Sequence, residues 1–198
     1  MDNNTYLICD GATKLAAIVD PSFDSDKLLP EIISEGWDIR YILLTHAHFD
    51  HCIENAFYVR ETDALLALHR GELELLRMLP QQAEMFGFTA EPSPEPTLFL
   101  EEGQTLRLGD TEIKVLLTAG HSPASVTFEV GNELIVGDAL FAGSVGRTDL
   151  PGSSWQTLLH SIKTQLLTQP DDTIVWPGHG EPTTIGKERA TNPFLCRK

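Results

Sequence analysis

The chain is poor in cysteine, in basic residues and in long apolar runs, and each shortage closes off a class of protein. Cys9, Cys52 and Cys196 are its 3 cysteines. They are odd in number and scattered, with no CxxC pair, which fits a reducing cytoplasm and not a disulfide framework. Lys and Arg number 14 against 29 Asp and Glu, a formal net charge of -15. Nucleic acid is thereby disfavoured as a partner, because phosphate binding needs a basic footprint. An anionic membrane surface is disfavoured for the same reason. No apolar run approaches the ~20 residues needed to cross a bilayer. The opening stretch MDNNTYLICDG has no basic flank and no signal-peptide shape, so a cytoplasmic location is expected. Fixed-period repeats, low-complexity tracts and credible linkers are also missing. One domain spanning 1–198 is therefore expected, long enough to bury a good core. Nothing in the sequence speaks to an oligomeric state.

What the chain does have is a regular alternation of apolar runs and turn residues. Strands are expected over 4–9, 15–19, 39–45, 64–68, 104–108, 112–118, 125–130, 133–137 and 172–176. The stretch SDKLLPEIISEG reads as a helix with Leu28, Leu29, Ile32 and Ile33 on one face, Pro30 in the first turn and Gly36 as its stop. Further helices are expected over 53–62, over 70–79 with Pro80 as the terminator, and near 184–191. In SSWQTLLHSIKTQLLTQ, Ser153 and Gln156 have capping-box spacing, and Trp155, Leu158, Leu159, Ile162 and Leu166 form one stripe. The Pro-rich segment 89–97 reads as an exposed connector.

Chemistry is concentrated where apolar strands end. His46, His48 and His51 follow IRYILLT, His121 follows EIKVLLTAG, Asp138 follows ELIVG, and His179 follows TIVWPG. Loops at strand ends are where rigid scaffolds present functional groups. Gly120, Gly137, Gly178 and Gly180 flank the later positions, as tight turns and close backbone approach require. A lone His beside a strand is usually a hydrogen-bonded structural residue, and His69 and His160 read that way. The run THAHFDH is different. Packing has no use for three imidazoles and a carboxylate in six residues, and burying them unpartnered is costly. Imidazole and carboxylate ligands suit Zn, and also Fe or Mn. Six or seven such ligands exceed the needs of one tetrahedral ion and suffice for two ions sharing a carboxylate.

THAHFDH, taken with His121, Asp138 and His179, resembles the H-x-H-x-D-H…H…D…H pattern of the metallo-β-lactamase superfamily, and the likeness runs over nearly the whole chain. The resemblance implies an α/β fold, the αββα four-layer sandwich with metals at one edge of two sheets. It assigns His46, His48 and His121 to one divalent ion, Asp50, His51 and His179 to a second, and Asp138 to the bridge. Zn is the first candidate, with Fe or Mn as alternatives. Asp50 would also orient the attacking water, as a catalytic residue.

Within the superfamily, Asp138 with the Asp50–His51 pair resembles the glyoxalase II group, hydrolases of hydroxyacylglutathione thioesters, more than the antibiotic-hydrolysing branch. A small-molecule thioester is the implied substrate. The glyoxalase II C-terminal helical domain has no counterpart in the stretch after His179. The loop DALFAGSVGRTDLPG resembles compact single-domain hydrolases of that kind, and also the persulfide dioxygenases, which use one iron. That gives a competing activity, and a non-catalytic metal-binding module gives a third. Arg147 in the loop could hold a substrate anion, or could pair with Asp149 and lock the loop. Phe86 and Phe88 read as core aromatics or as a lid over the pocket. Cys52 reads as a free buried thiol.

Overall fold

The computed structural model describes residues 3–195, so Cys196 lies outside the described residues. Its first sheet runs β1 (Tyr6–Asp10), β2 (Leu15–Val19), β3 (Asp38–Leu43), β4 (Leu65–His69) and β5 (Leu98–Leu100), in that spatial order. The β1–β2 pair is an antiparallel hairpin, and β2 to β5 are parallel. Parallel neighbours need crossovers. Here they are α1 (Leu29–Ser34), then α2 (Phe49–Cys52) with α3 (Asn55–Glu61), then α4 (Leu73–Arg77) with α5 (Leu79–Met85).

The second sheet comprises β6 (Thr105–Leu108), β7 (Thr111–Leu117), β8 (Val126–Val130), β9 (Glu133–Gly137), β12 (Ile174–Pro177) and β13 (Thr183–Thr184), ordered β13-β12-β9-β8-β7-β6. A small hairpin of β10 (Leu140–Phe141) and β11 (Ser144–Val145) stands apart. β9 and β12 are parallel, joined through α6 (Trp155–Ser161), and α7 (Ile185–Thr191) follows β13.

Three apolar clusters stack the layers. Between the sheets, Ala17, Val19 and Leu43 meet Leu108, Val115 and Phe128. The other face of the first sheet, through Ile18, Ile42 and Leu66, packs on Leu29, Tyr58 and Leu79 of the helices. The other face of the second, through Leu134, Val136 and Val175, packs on Leu158, Ile162 and Ile185. Helices outside, two sheets inside, is the αββα sandwich that the resemblance implies. Strand direction then places the chemistry. β7 and β9 are both antiparallel to β8, so β7, β9 and β12 all point the same way. Their C-terminal ends share one edge with those of β2 and β3, where Val126 N donates to Thr45 O at 2.8 Å across the sheets.

Some local expectations are corrected. Pro80 does not end helical structure. It sits in the first turn of α5, where its missing N–H has no helical partner to lose. The cap of α6 is Ser154, which accepts from Thr157 N, and not Ser153, whose hydroxyl donates to Leu150 O at 2.6 Å. Of the α6 stripe, Leu158, Ile162 and Leu166 are buried, but Trp155 is 38% exposed and packs on Phe194. β5, β10, β11 and β13 are additional strands, too short to show a period. β1 is an edge strand of the first sheet.

Candidate metal centre

The apolar strand β3 ends at Leu43, and the chain then delivers Thr45, His46 and His48 before the single turn α2 turns Asp50 and His51 inward. His46 and His51 are fully buried. Their ring centroids lie 4.1 Å apart, and His121 is 5.0 Å from His46 and 4.7 Å from His48. The ligand-capable atoms of His46, His48 and His121 lie within 4.8 Å of one another, as do those of Asp50, His51 and His179. Asp138 stands between these groups. Its Oδ1 is 3.4 Å from His51 Nε2, and its Oδ2 is 3.5 Å from His121 Nε2 and 3.6 Å from His179 Nε2. All seven residues singled out in the sequence therefore converge.

The atoms that face the centre are short of partners. Among the described residues, His46 Nε2, His51 Nε2 and Asp138 Oδ1 are buried and make no hydrogen bond. Buried polar groups are rarely left so. The opposite ring nitrogens are engaged: His51 Nδ1 with Asp20 Oδ2 at 2.9 Å, His121 Nδ1 with Arg147 O at 2.9 Å, and His46 Nδ1 with Thr45 Oγ1 at 3.0 Å. Imidazoles fixed at one nitrogen and open at the other, as His46 and His51 are, are what a metal site needs, and His121 Nε2 lies 3.0 Å from His48 Nδ1 across the same space. The residues present fit divalent ions.

Electrostatics agree. Burial pushes His46 well below the ordinary histidine range, and burial with the neighbouring His121 lowers His48 to about 3. Burial also lowers His121. These rings are neutral at pH 7, with lone pairs available. Burial works against ionised Asp138, but His51 and His121 outweigh it and bring the carboxyl down to about 2. Asp50 is likewise lowered against its burial, chiefly by the hydrogen bond with His179. His51 goes the other way: burial would lower it, yet Asp138 and Asp20 together raise it well above the usual value.

Backbone room matters at one point in particular. A Cβ on Gly178 would overlap Asp138 Oδ1 and His51 Cε1, so only glycine lets the β12 loop close on the site.

Other sequence candidates fall into place. Arg147 makes a two-pronged pair with Asp149, Nε–Oδ1 2.7 Å and Nη2–Oδ2 2.7 Å, and both side chains are exposed. Phe86 is 55% exposed and stacks on Phe49, the residue between His48 and Asp50, at 5.1 Å. Phe88 packs on Phe23 at 4.9 Å. These aromatics are therefore not core. Cys52 is buried, and its thiol donates to His48 O. His69 Nδ1 accepts from Gly71 N, and His160 is exposed.

Asp20 was missed by sequence reasoning. It follows β2 with φ 50, a left-handed conformation that Asp tolerates better than most residues. Its Oδ1 accepts from Thr45 N at 2.8 Å, and its Oδ2 from Thr45 Oγ1 at 2.6 Å and from His51 Nδ1. The signal was available, because Asp20 stands directly after the apolar run LAAIV, the same strand-end position as the others. Asn3 and Glu72, which also touch the ligand loops, had no such signal.

The neutral imidazoles of His46, His48 and His121, with ionised carboxylates beside them at the shared edge of an αββα sandwich, define a metal-binding enzyme scaffold. Residues 1–179 match the sequence pattern of the Metallo-beta-lactamase superfamily. The chain is 36% identical over 200 residues to the hydroxyacylglutathione hydrolase GloC of Haemophilus influenzae, covering 98% of this chain and 93% of that one. Among solved structures, it is similar to BLEG-1 B3 metallo-beta-lactamase, with TM-score 0.91, 35% identity, and coverage of 98% and 95% of the two chains. It is also similar to TTHA1623 in a di-iron-bound form, with TM-score 0.89, 40% identity and the same coverages. The chain belongs to the metallo-beta-lactamase superfamily. Among the described residues no helix is long and apolar enough to cross a membrane.

Proposed function

We propose that this protein is a two-metal hydrolase of a small thioester, with hydroxyacylglutathiones as the first candidates. The observation that carries the reading is the position of Asp138, whose two oxygens approach His51 on one side and His121 on the other. His46, His48 and His121 would hold one ion, and Asp50, His51 and His179 the other, with Asp138 shared. Bound ions of this kind acidify water at neutral pH and polarise a carbonyl oxygen. Asp50 orients the attacking water. It stays ionised because the hydrogen bond with His179, 3.3 Å from its Oδ2, outweighs its burial. Addition of water to the thioester carbonyl and loss of the thiol yield a carboxylic acid and a free thiol. Likeness to GloC supports the substrate class, and likeness to the di-iron TTHA1623 supports a pair of ions. In this reading Arg147 meets a substrate anion by giving up its exposed pair with Asp149.

The test combines metal content by mass spectrometry with three assays on the same preparation. These are hydrolysis of S-lactoylglutathione and other thioesters, persulfide-dependent oxygen uptake, and hydrolysis of a chromogenic β-lactam, the chemistry for which BLEG-1 is named. Two ions per chain with thioester turnover is the expected result. One iron with oxygen uptake and no thioester turnover makes the dioxygenase reading correct, and β-lactam turnover alone makes the antibiotic-hydrolysing one correct. Ion binding with no turnover of any of the three leaves a non-catalytic metal module.

A further inference from the structure

Glu72 is fully buried, carries no ion pair among the described residues, and follows the C-terminal end of β4, which runs parallel to β3. It lies between β4 and α4, far in sequence from both loops it touches. Its Oε2 accepts from Ala47 N at 3.1 Å, and its Oε1 from Ser122 Oγ at 2.8 Å and Ala124 N at 2.6 Å. Ala47 is the residue between His46 and His48, and Ser122 follows His121. The same peptide is held at its other end, because Gln82 Nε2 donates to Ala47 O at 3.1 Å. A buried carboxylate satisfied by neutral donors is an expensive way to fill space, since its desolvation is offset only by the hydrogen bonds it accepts. What those bonds join is specific: the two loops that supply all three imidazoles of one half of the centre.

The other half has its own tie. Asn3 Nδ2 donates to Asp50 O at 2.6 Å, while Asn4 N donates to Gly178 O at 2.7 Å. Asn4 Nδ2 also donates to Pro177 O at 3.0 Å and Gly180 O at 2.9 Å. This N-terminal strap thus spans Asp50 and the His179 loop, and among the described residues it makes no hydrogen bond to residues 46–48 or to the His121 loop.

We infer that Glu72 is a positioning residue for the three-imidazole half of the centre alone, setting its affinity for a metal ion separately from that of the Asp50–His51–His179 half. The inference rests on the two-metal reading. Glu72→Gln keeps the volume but presents an NH2 group to either Ala47 N or Ala124 N, so donor faces donor in both orientations. One loop is released while the packing stays.

The experiment is a zinc titration of metal-free protein against a chelator. Binding is read ring by ring from the histidine side-chain nitrogen resonances. In Glu72→Gln, half-saturation at His46, His48 and His121 is expected to weaken by about tenfold or more. That at His51 and His179 should move by less than about threefold. Asn3→Ala is expected to give the reverse pattern. Glu188→Gln is the control for a merely structural carboxylate. Glu188 is equally buried and accepts from Thr183 Oγ1, Gly143 N and Asn192 Nδ2, with no such bond to residues 46–51 or 120–124. It should lower the melting temperature without separating the two sets of rings. If Glu72→Gln does not fold, Ser122→Ala removes one donor with less disturbance and should weaken the same three rings. A Glu72→Gln that weakens both sets alike, or neither, overturns the inference while leaving two-ion binding intact. A wild-type protein that takes one ion refutes the two-metal reading, and the inference with it.

Discussion

Replacing Asp20 by Asn changes one oxygen to an NH2 group and removes a charge, with almost no change in volume. Asp20 now accepts three hydrogen bonds, from Thr45 N, Thr45 Oγ1 and His51 Nδ1. An Asn can keep its oxygen toward Thr45 N, which turns its NH2 on the His51 Nδ1–H. It can also flip, which turns the NH2 on Thr45 N–H. In the first orientation His51 escapes the clash by moving its proton to Nε2, the nitrogen that faces Asp138 at 3.4 Å. A ring protonated there cannot bind a metal ion. In the second orientation a buried backbone N–H loses its acceptor. A hydrogen bond to a charged group is worth about 1.5–3 kcal/mol. At ~1.4 kcal/mol per factor of ten, zinc affinity at the His51 site should fall by roughly 10- to 100-fold, the usual cost of losing the partner of a ligating histidine. The assay is chelator competition for zinc, with nitrogen NMR of His51 to read the tautomer and a melting curve of the metal-free protein to separate lost folding. An Asp20→Asn protein with zinc affinity within about threefold of wild type and an unprotonated Nε2 would refute the reasoning.

Asp138→Ala removes the carboxylate that approaches both halves, so metal content and activity should fall together by more than about tenfold, ~1.4 kcal/mol or greater in the barrier; normal metal and normal turnover would exclude Asp138 from the centre. Arg147→Ala should raise KM more than it lowers kcat, the mark of lost ground-state binding, and an equal fall in kcat and kcat/KM would assign the residue to the transition state instead. Its loss should leave thermal stability nearly unchanged, because the Arg147–Asp149 pair is exposed. Asp10 ties the β1–β2 turn to the β6–β7 turn, accepting from Thr13 N, Thr13 Oγ1, Asp110 N and Thr111 Oγ1. These bonds, that from Thr13 N foremost, depress its carboxyl to about 2. A depressed carboxyl stabilises the fold above its unfolded value, near ~3.9, and that contribution is lost as pH falls through about 2. Asp10→Asn should therefore melt at a lower temperature than wild type at pH 7, with the gap closing between about pH 4 and pH 2; a gap independent of pH would show that charge is not the cause.

The sequence by itself determined the strand ends and what stands on them. Apolar runs such as YILL and ELIV are legible because buried strands admit little else, and a crowd of imidazoles directly beyond one of them has no packing explanation. Asp20 obeyed the same rule and could have been found by applying it once more. What tertiary structure decided is which ends meet. The convergence of His121, Asp138 and His179 on the 46–51 turn follows from β7, β9 and β12 pointing the same way and from two sheets packing face to face. No local pattern encodes those long-range pairings. Short elements were hidden for a related reason: strands of two or three residues such as β5, β10 and β11 show no period and exist because a neighbour offers hydrogen bonds. Pro80 and Ser154 show that a helix boundary depends on which of two adjacent residues the packed chain can satisfy. The contacts of Asn3 and Glu72 lie furthest from sequence reach. Asn3 reaches residue 50 and Glu72 reaches residues 47 and 124, and a buried amide or carboxylate declares its role only when the donors and acceptors around it have been brought into place by the fold.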